Sequence, residues 1–341
     1  MPDSVVVEQA SGSTAARYVA SLIEKGEVLA DLTAGLGVNT FFFSRRAKLV
    51  YSIEKDKNRA KALQHNLKIA GVENVKVAEG DCIEWLKDNP QIEFDTVYVD
   101  PSRRSTSGRR ILLLEDCSPD ISKVIEQIHG RSKRMLVKAS PLLDITSVTK
   151  EFPSIKEVYI IEVRREVKEL LLDFKLSGDG TGKKLIHCVL LNESTPSHVI
   201  TFPLKEIEKE IDDKFLKGRS EISEGQYLYE PSPAVMKSGK FNAVLDMYPE
   251  LKKLGRNTHL FTSGRLVKEF PGRKFQIEGF VSSKDLKKMK GESRSVISRN
   301  HPATAAELER RFKFRSSERE YLIACQVGKD KTIMSVIKLD N

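Results

Sequence analysis

Within residues 29–56, LADLTAGLGVNTFFFSRRAKLVYSIEKD, a strand runs into a turn holding Gly35 and Gly37, then a short helix, then a second strand ending in Glu54. A chain that does this commits itself to a strand–helix–strand crossover whose turn faces a ligand at the strands' carboxyl ends. The rest of the front half keeps the same rhythm. The pattern predicts a helix over 12–25 ahead of the strand EVLADL at 27–32 and a strand KLVYSIE at 48–54. It also predicts an amphipathic helix over 56–70, where Ala60, Leu63, Leu67 and Ala70 share a face. NVKVAEG at 74–80, a helix around 82–88 and the nearly continuous apolar run FDTVYVD at 94–100 follow. Ser118 and Pro119 read as the N-cap and first residue of a helix over 118–129, and RMLVKAS at 134–140 is the fifth strand. KEVYIIEV (156–163), ELLLDFK (169–175) and KLIHCVLL (184–191) come next, with no full helices between them. Such alternation predicts an α/β fold, a mostly parallel sheet covered by helices on both faces, with an antiparallel hairpin at the sheet edge.

The ligand is argued from the strand ends. A dinucleotide fingerprint wants a third glycine at position 40, over the pyrophosphate, and Thr40 stands there instead. S-adenosyl-L-methionine has no phosphates and needs a carboxylate ahead of the glycines, which Asp31 supplies four residues before Gly35. Glu54, 17 residues after Gly37, suits the two ribose hydroxyls of any adenosine ligand. Asp81 suits an adenine amino group, and equally a helix N-cap. The fourth strand ends in Asp100-Pro101-Ser102. Methyl transfer is an in-line displacement, so it rests on holding the acceptor atom at roughly 3–3.5 Å. Asp100 can bond an amino or imino hydrogen there and take its proton. Taken together, the strand ends favour the methyl donor over a dinucleotide.

The 341 residues allow one large or two modest domains. No stretch of about 18 apolar residues is present, so no membrane span is expected. MPDSVVVEQ lacks a basic region followed by an apolar run, and Cys82, Cys117, Cys188 and Cys325 show no ligand-like spacing. Cytoplasmic localisation with reduced thiols is therefore expected, and an upstream extension of the natural chain stays open. The six histidines form no metal-binding pattern, and no metal is expected. Charge is unevenly placed. Residues 1–195 carry 29 Lys and Arg against 28 Asp and Glu, a balance of +1, whereas residues 196–341 carry 28 against 20, a balance of +8. A near-neutral front half joined to a basic back half fits a catalytic unit joined to a part that meets a polyanion.

The polar, proline-containing NESTPSH after residue 191 marks a boundary, and the charged segment 205–218 reads as helical. GQYLYEPSPAVMKSG (225–239) is an extended stretch entering a helix. The tail reads strand, helix, strand, strand, with Thr304 and Glu307 spaced as a capping box. Between residues 284 and 319, eleven Lys and Arg face five acids, and Phe312 and Phe314 alternate with the cations. Such a surface either docks phosphates without reading sequence, or its phenylalanines are core and its cations simply solvated.

These residues resemble class I S-adenosylmethionine-dependent methyltransferases, and more narrowly a bacterial group of RNA methyltransferases with a C-terminal THUMP-like domain. The resemblance is carried in front by Glu8-Gln9-Ala-Ser11-Gly12, Asp31-Leu-Thr-Ala-Gly-Leu-Gly37, Asp100-Pro-Ser-Arg-Arg104, Ser140-Pro-Leu-Leu-Asp144 and Lys168-Glu-Leu-Leu171. Behind, it is carried by Tyr229-Glu-Pro-Ser-Pro-Ala234, Phe270-Pro-Gly-Arg273 and Arg299-Asn-His-Pro302. It implies a Rossmann-like methyltransferase domain over 1–195, a linker helix and small ferredoxin-like α+β unit over 196–272, and a basic RNA-docking domain over 273–341. Donor contacts are expected from Gln9, Ser11, Asp31, Thr33, Ala34, Gly35, Gly37, Asn39, Glu54, Lys55, Asp81, Cys82 and Asp100. Catalysis is expected from Asp100, Pro101 and Ser102, and RNA contacts from Arg103, Arg104, Lys287, Lys288, Arg294 and Arg299. Asn39 stands where an acid is common in the group, and Arg164-Arg165-Glu-Val replaces an expected Asn-Glu-Cys stretch. Ser102 and Arg103 occupy the places where amino-nitrogen methyltransferases carry a second proline and a base-stacking aromatic. An arginine plane is the expected substitute, and Arg103, Arg104, Arg109 and Arg110 are expected to meet phosphates. The acceptor, tRNA, rRNA or another molecule, and the oligomeric state stay open. A methyltransferase of proteins or small molecules and an RNA-binding protein with a vestigial donor site remain alternatives.

Overall fold

A computed structural model describes residues 12–103, 114, 117–177, 182–192, 198–205 and 212–340. The chain divides into two compact units, residues 1–206 and 207–341. In the front unit, α1 (Ser13–Ser21), β1 (Val28–Asp31), α2 (Val38–Ser44), β2 (Leu49–Glu54), α3 (Lys57–Ile69), β3 (Val75–Glu79), α4 (Cys82–Asp88) and β4 (Phe94–Val99) follow the alternation read from the sequence. A short pair, β5 (Ser102–Arg103) and β6 (Cys117–Ser118), precedes α5 (Ile121–Ile128) and β7 (Ser132–Ala139). Then come α6 (Ile145–Glu151), β8 (Ile155–Val163), β9 (Glu166–Lys175), β10 (Leu185–Leu191) and β11 (His198–Pro203).

The nine strands run in the order β3-β2-β1-β4-β7-β9-β8-β10-β11. From β3 to β7 all neighbours are parallel. The order reverses beside β1, between β2 and β4, which is where an open sheet holds its ligand. β9 runs antiparallel to both β7 and β8, so the β8–β9 hairpin folds inward rather than forming the edge. The reason lies in β9 itself: six consecutive residues, 169–174, are buried, and such a run needs cover on both faces. The edge is the antiparallel pair β10–β11. β11, which starts at the last residue of the polar break and was not placed from the sequence, buries only alternate residues, as a one-sided strand does. It extends the front sheet past residue 195.

The helix read from Ser118 starts later. Asp120 is the N-cap of α5, accepting from the Ser122 N–H at 3.0 Å, while Ser118 lies in β6. Asp144 caps α6 in the same way, a helix the sequence reading did not place.

In the back unit, residues 212–214 form a single 3₁₀ turn, and no α-helix occurs among the described residues of 212–218. β12 (Tyr227–Pro231), α7 (Pro233–Ser238), α8 (Phe241–Met247), β13 (Lys252–Gly255) and β14 (Thr258–Ser263) are followed by β15 (Gly272–Phe280), α9 (Ser283–Lys288), β16 (Ser295–Arg299), α10 (Ala305–Phe312), β17 (Glu320–Val327) and β18 (Asp330–Lys338). One seven-stranded sheet, β13-β14-β12-β15-β18-β17-β16, holds all of these strands. Its single parallel pair, β16–β17, is joined through α10, and the Thr304–Glu307 capping box starts that helix as read. β17 alternates sides. Tyr321, Ile323, Cys325 and Val327 join one apolar cluster, and Leu322 and Ala324 join the other, beneath α9 and α10. Among the described residues no helix is long and apolar enough to cross a membrane.

Candidate active site

The turn after β1 places Gly35 at φ +57° and Gly37 at φ +89°, a left-handed region that L side chains rarely adopt. The two glycines serve different neighbours. A Cβ on Gly35 would meet only the Thr33 carbonyl at 4.0 Å, so that face of the turn is open. A Cβ on Gly37 would stand 2.3 Å from Leu63 Cδ1, inside the core. Gly37 therefore makes room for α3, a neighbour that the sequence reading did not give it.

Three carboxylates converge at the strand ends. Asp31 is 1% exposed. Its Oδ2 accepts from the Thr40 hydroxyl at 2.6 Å, and its Oδ1 from the Thr33 N–H at 3.3 Å. Ser52 in turn donates to Thr40 at 3.2 Å. Thr40, where a dinucleotide fold would carry glycine, is thus the residue that fixes the acid of β1. Glu54 is also buried, and its Oε2 and Oε1 accept from the Gly35 and Asp56 N–H groups, each at 2.8 Å. Oε1 also pairs with Arg59 Nε at 3.3 Å, and Oε2 keeps a second lone pair for a ligand hydroxyl. Burial first, and then the charges of Asp100 and Glu54, push Asp31 up to about 7, against the hydrogen bonds it accepts.

That shift has a measurable consequence. The unfolded chain gives up this proton near the ordinary value of 3.8, and the folded chain holds it to about 7. The stabilisation is therefore complete below the lower value and is lost as pH rises through the higher one. Asp31→Asn removes the titration. Its melting temperature relative to wild type is expected to climb by roughly 5–10 °C between pH 4 and pH 8, and parallel melting curves would disprove the assignment.

At β4, the Asp100 N–H donates to Thr33 Oγ1 at 2.6 Å. Asp100 Oδ2 accepts from Lys138 Nζ at 2.9 Å, and Lys138 also pairs with Glu169 at 3.4 Å. Burial works against the Lys138 charge, but Asp100 and Glu169 raise its pKa above the ordinary value. Lys138 is the penultimate residue of β7 and Glu169 lies in β9, so the antiparallel strand inside the sheet supplies part of the site. The sequence reading missed Lys138 as a site residue, although a lysine in the apolar run RMLVKAS was its signal. Pro101 is buried, and Ser102 Oγ donates to the Ser118 carbonyl at 3.2 Å, closing the loop that leaves β4.

The remaining expected donor contacts divide. Asn39 Nδ2 donates to the Tyr98 hydroxyl at 3.0 Å, and Asn39 Oδ1 is buried with no hydrogen-bond partner among the described residues. Asp81 is the N-cap of α4 and pairs with Lys55 at 3.0 Å. Desolvation opposes its ionisation, yet the Lys55 ammonium and the Ile83 N–H hold its carboxyl below the usual range. Burial, then the Asp81 charge, pushes the Cys82 thiol up to about 12, so it is no nucleophile. Gln9, Ser11, Arg104, Arg109, Arg110 and the Arg103 side chain lie outside the described residues. Among the described residues no group of His, Cys, Asp and Glu is placed to hold a metal.

In the back unit Lys287 and Lys288 are exposed on α9. Arg294 is not available in the same way, since its guanidinium is 14% exposed, pairs with Glu292 and donates to Ser335 Oγ at 3.0 Å. Phe312 and Phe314 pack in the cluster under α9 and α10, so they stabilise the unit and do not present rings to a base.

Over residues 6–114 the sequence matches the family described as conserved hypothetical protein 95, and over 227–271 it matches a ferredoxin-like domain. A crystal structure of a candidate methyltransferase from Porphyromonas gingivalis W83 aligns over 100% of this chain and 84% of its own, with a TM-score of 0.84 and 26% identity. This chain has a Rossmann-like methyltransferase fold followed by a small ferredoxin-like domain. A candidate methyltransferase from Streptococcus mutans, solved with S-adenosyl-homocysteine, covers 47% of this chain and 94% of its own at 13% identity and a TM-score of 0.36. No curated protein matches the chain in sequence.

Proposed function

We propose that the chain is an S-adenosyl-L-methionine-dependent methyltransferase that modifies a base in structured RNA, with the basic back unit docking the substrate. The observation that carries the donor assignment is electrostatic. Asp31, Glu54 and Asp100 crowd one crevice, where burial first and then the other two charges raise Asp31 to about 7, although Arg59 pairs with Glu54 and Lys138 with Asp100. Such a crevice repels a pyrophosphate and favours a ligand that is cationic where the dinucleotide is anionic. When bound, the donor supplies a methyl group made electrophilic by its positive sulfur.

The chain's own residues do the rest. Asp31 and the orphaned Asn39 Oδ1 offer acceptors for an ammonium, the open face of Gly35 admits the ligand, and Glu54 accepts from ribose hydroxyls. Asp81 keeps the N-cap role and takes the adenine side secondarily. Asp100, held by Thr33 and by the Lys138 ammonium, accepts a hydrogen bond from the acceptor's N–H and turns its lone pair into line. Pro101 and Ser102 fix the loop over it. The RNA reading is supported by the back unit's excess of cations and by Lys287 and Lys288 standing exposed on one short helix.

Two measurements test this. Titration calorimetry is expected to show heat with S-adenosyl-L-methionine and none with a dinucleotide. Tritium transfer from labelled donor into total RNA of a strain lacking the protein, followed by nucleoside mass spectrometry, is expected to yield a methylated base. No heat with the donor would remove the enzymatic reading, and label entering only protein or metabolites would remove RNA as substrate.

A further inference from the structure

Three stretches of the back half that methyl transfer leaves unused, 229–234, 270–273 and 299–302, meet at one carboxylate. Glu230 of β12 is 2% exposed. Its Oε2 accepts from Arg273 Nε at 2.6 Å and pairs with Arg273 Nη2 at 2.5 Å, and its Oε1 accepts from Arg299 Nη2 at 2.7 Å. Glu230 and Arg273 lie opposite each other in the β12–β15 ladder, and the strands come so close that a Cβ on Gly272 would stand 2.0 Å from the Glu230 carbonyl oxygen. The Pro-Gly-Arg sequence is what brings the first guanidinium in.

Arg299 ends β16. The chain then turns through Asn300, at φ +51°, towards Thr304, the cap of α10. β16, α10 and β17 form a parallel crossover at the sheet edge, so this turn stands just past a strand's carboxyl end. A cavity of about 690 Å³ opens there, lined among others by Arg273, Arg299, Asn300, His301, Gln326 and Lys331, with no carboxylate among its lining residues. Its size is that of a small-ligand site. Arg299 keeps 42% of its side chain exposed while Glu230 keeps 3%, and the guanidinium is oriented by Glu230 through Nη2 and by the Ser298 carbonyl through Nη1 at 3.0 Å. His301 Nδ1 lies 3.1 Å from the Ala303 nitrogen and 3.3 Å from the Ala303 carbonyl oxygen, which seats the ring against the turn. Burial, then the charges of Lys253 and Arg299, push His259 down to about 4, consistent with a positive potential around this turn.

We infer that this cleft holds a phosphate group of the RNA, with Arg299 as the principal contact and His301 and Lys331 beside it. A forked guanidinium fixed by a carboxylate behind it is preorganised for a tetrahedral oxyanion. The inference rests on RNA being the substrate and adds where the substrate is gripped. The group is either a terminal monoester or an internal phosphodiester.

The test uses the full chain and anisotropy of a fluorescein-labelled stem-loop RNA, with and without a 5′-phosphate. Arg299→Gln is expected to weaken binding by roughly 10–100-fold. The double variant H301A/K331Q, which leaves both partners of Glu230 in place, is expected to weaken it by about 5–10-fold and to lower the slope of log Kd against log salt by about one. Donor affinity by calorimetry and the melting temperature of the double variant should match wild type. If the losses vanish on the RNA lacking its 5′-phosphate, the terminal monoester is the ligand; if they persist, an internal phosphodiester is. Wild-type RNA binding with unchanged affinity and slope in both variants would overturn the cleft while leaving RNA as substrate. Polyglutamate competing as well as RNA would overturn it in favour of an acidic protein partner. A wild-type chain that binds donor but no RNA would overturn the function reading itself.

Discussion

Asp100→Ala is expected to lower methyl transfer into RNA by roughly two to four orders of magnitude, with donor affinity changed by no more than a few-fold. The carboxylate contacts the acceptor in the proposed reaction, whereas the donor is held chiefly by β1 and β2. Removing it also strips Lys138 of one of its two acids, leaving Glu169 as partner. Asp100→Asn separates these effects, because an amide keeps an acceptor oxygen for the substrate N–H and loses the charge that pairs with Lys138. If Asn restores most of the rate, Asp100 works by alignment. If Asn is as slow as Ala, the charge itself is needed. Single-turnover transfer rates at saturating donor read this directly, and a wild-type rate in Asp100→Ala would displace the acceptor site from the end of β4.

Gly37→Ala is expected to cost about 2–4 kcal/mol of stability, through overpacking and backbone strain together. The new Cβ would overlap Leu63 Cδ1 at 2.3 Å, Leu63 is fully buried, and the φ of +89° is unfavourable for alanine. Gly35→Ala makes the informative partner. Its Cβ meets open space, so about 1 kcal/mol of backbone strain is expected, with the larger effect on donor affinity. Thermal melting separates the two, and Gly37→Ala melting like wild type would show that α3 shifts more easily than its packing implies.

These contrasts mark what the sequence could and could not disclose. The strands and their acidic ends were legible because a buried parallel strand is a short apolar run, and an acid at its end stands out. Which way each acid turns was not legible. Asp31 and Glu54 engage Thr40 and backbone N–H groups that no spacing rule singles out, and Gly37 answers to a leucine 26 residues away. Lys138 was hidden because its partners, Asp100 and Glu169, come from two other strands whose neighbours depend on β9 entering the sheet rather than bordering it. In the tail, alternating cations and phenylalanines looked like a nucleic-acid face. The backbone instead turned Phe312 and Phe314 inward, and a buried glutamate chose which arginines face a cleft.

The bond between Glu230 and Arg299 has a geometric cost that the strand order makes plain. β12 and β16 are separated in the back sheet by β15, β18 and β17. Four spacings of about 4.8 Å would set them roughly 19 Å apart on a flat surface. The two side chains bridge part of that span, and the sheet curls to close the rest, since β13 and β14 also approach β16 and β17. In the proposed cleft, an anion drawn to Arg299 lands where that curvature closes.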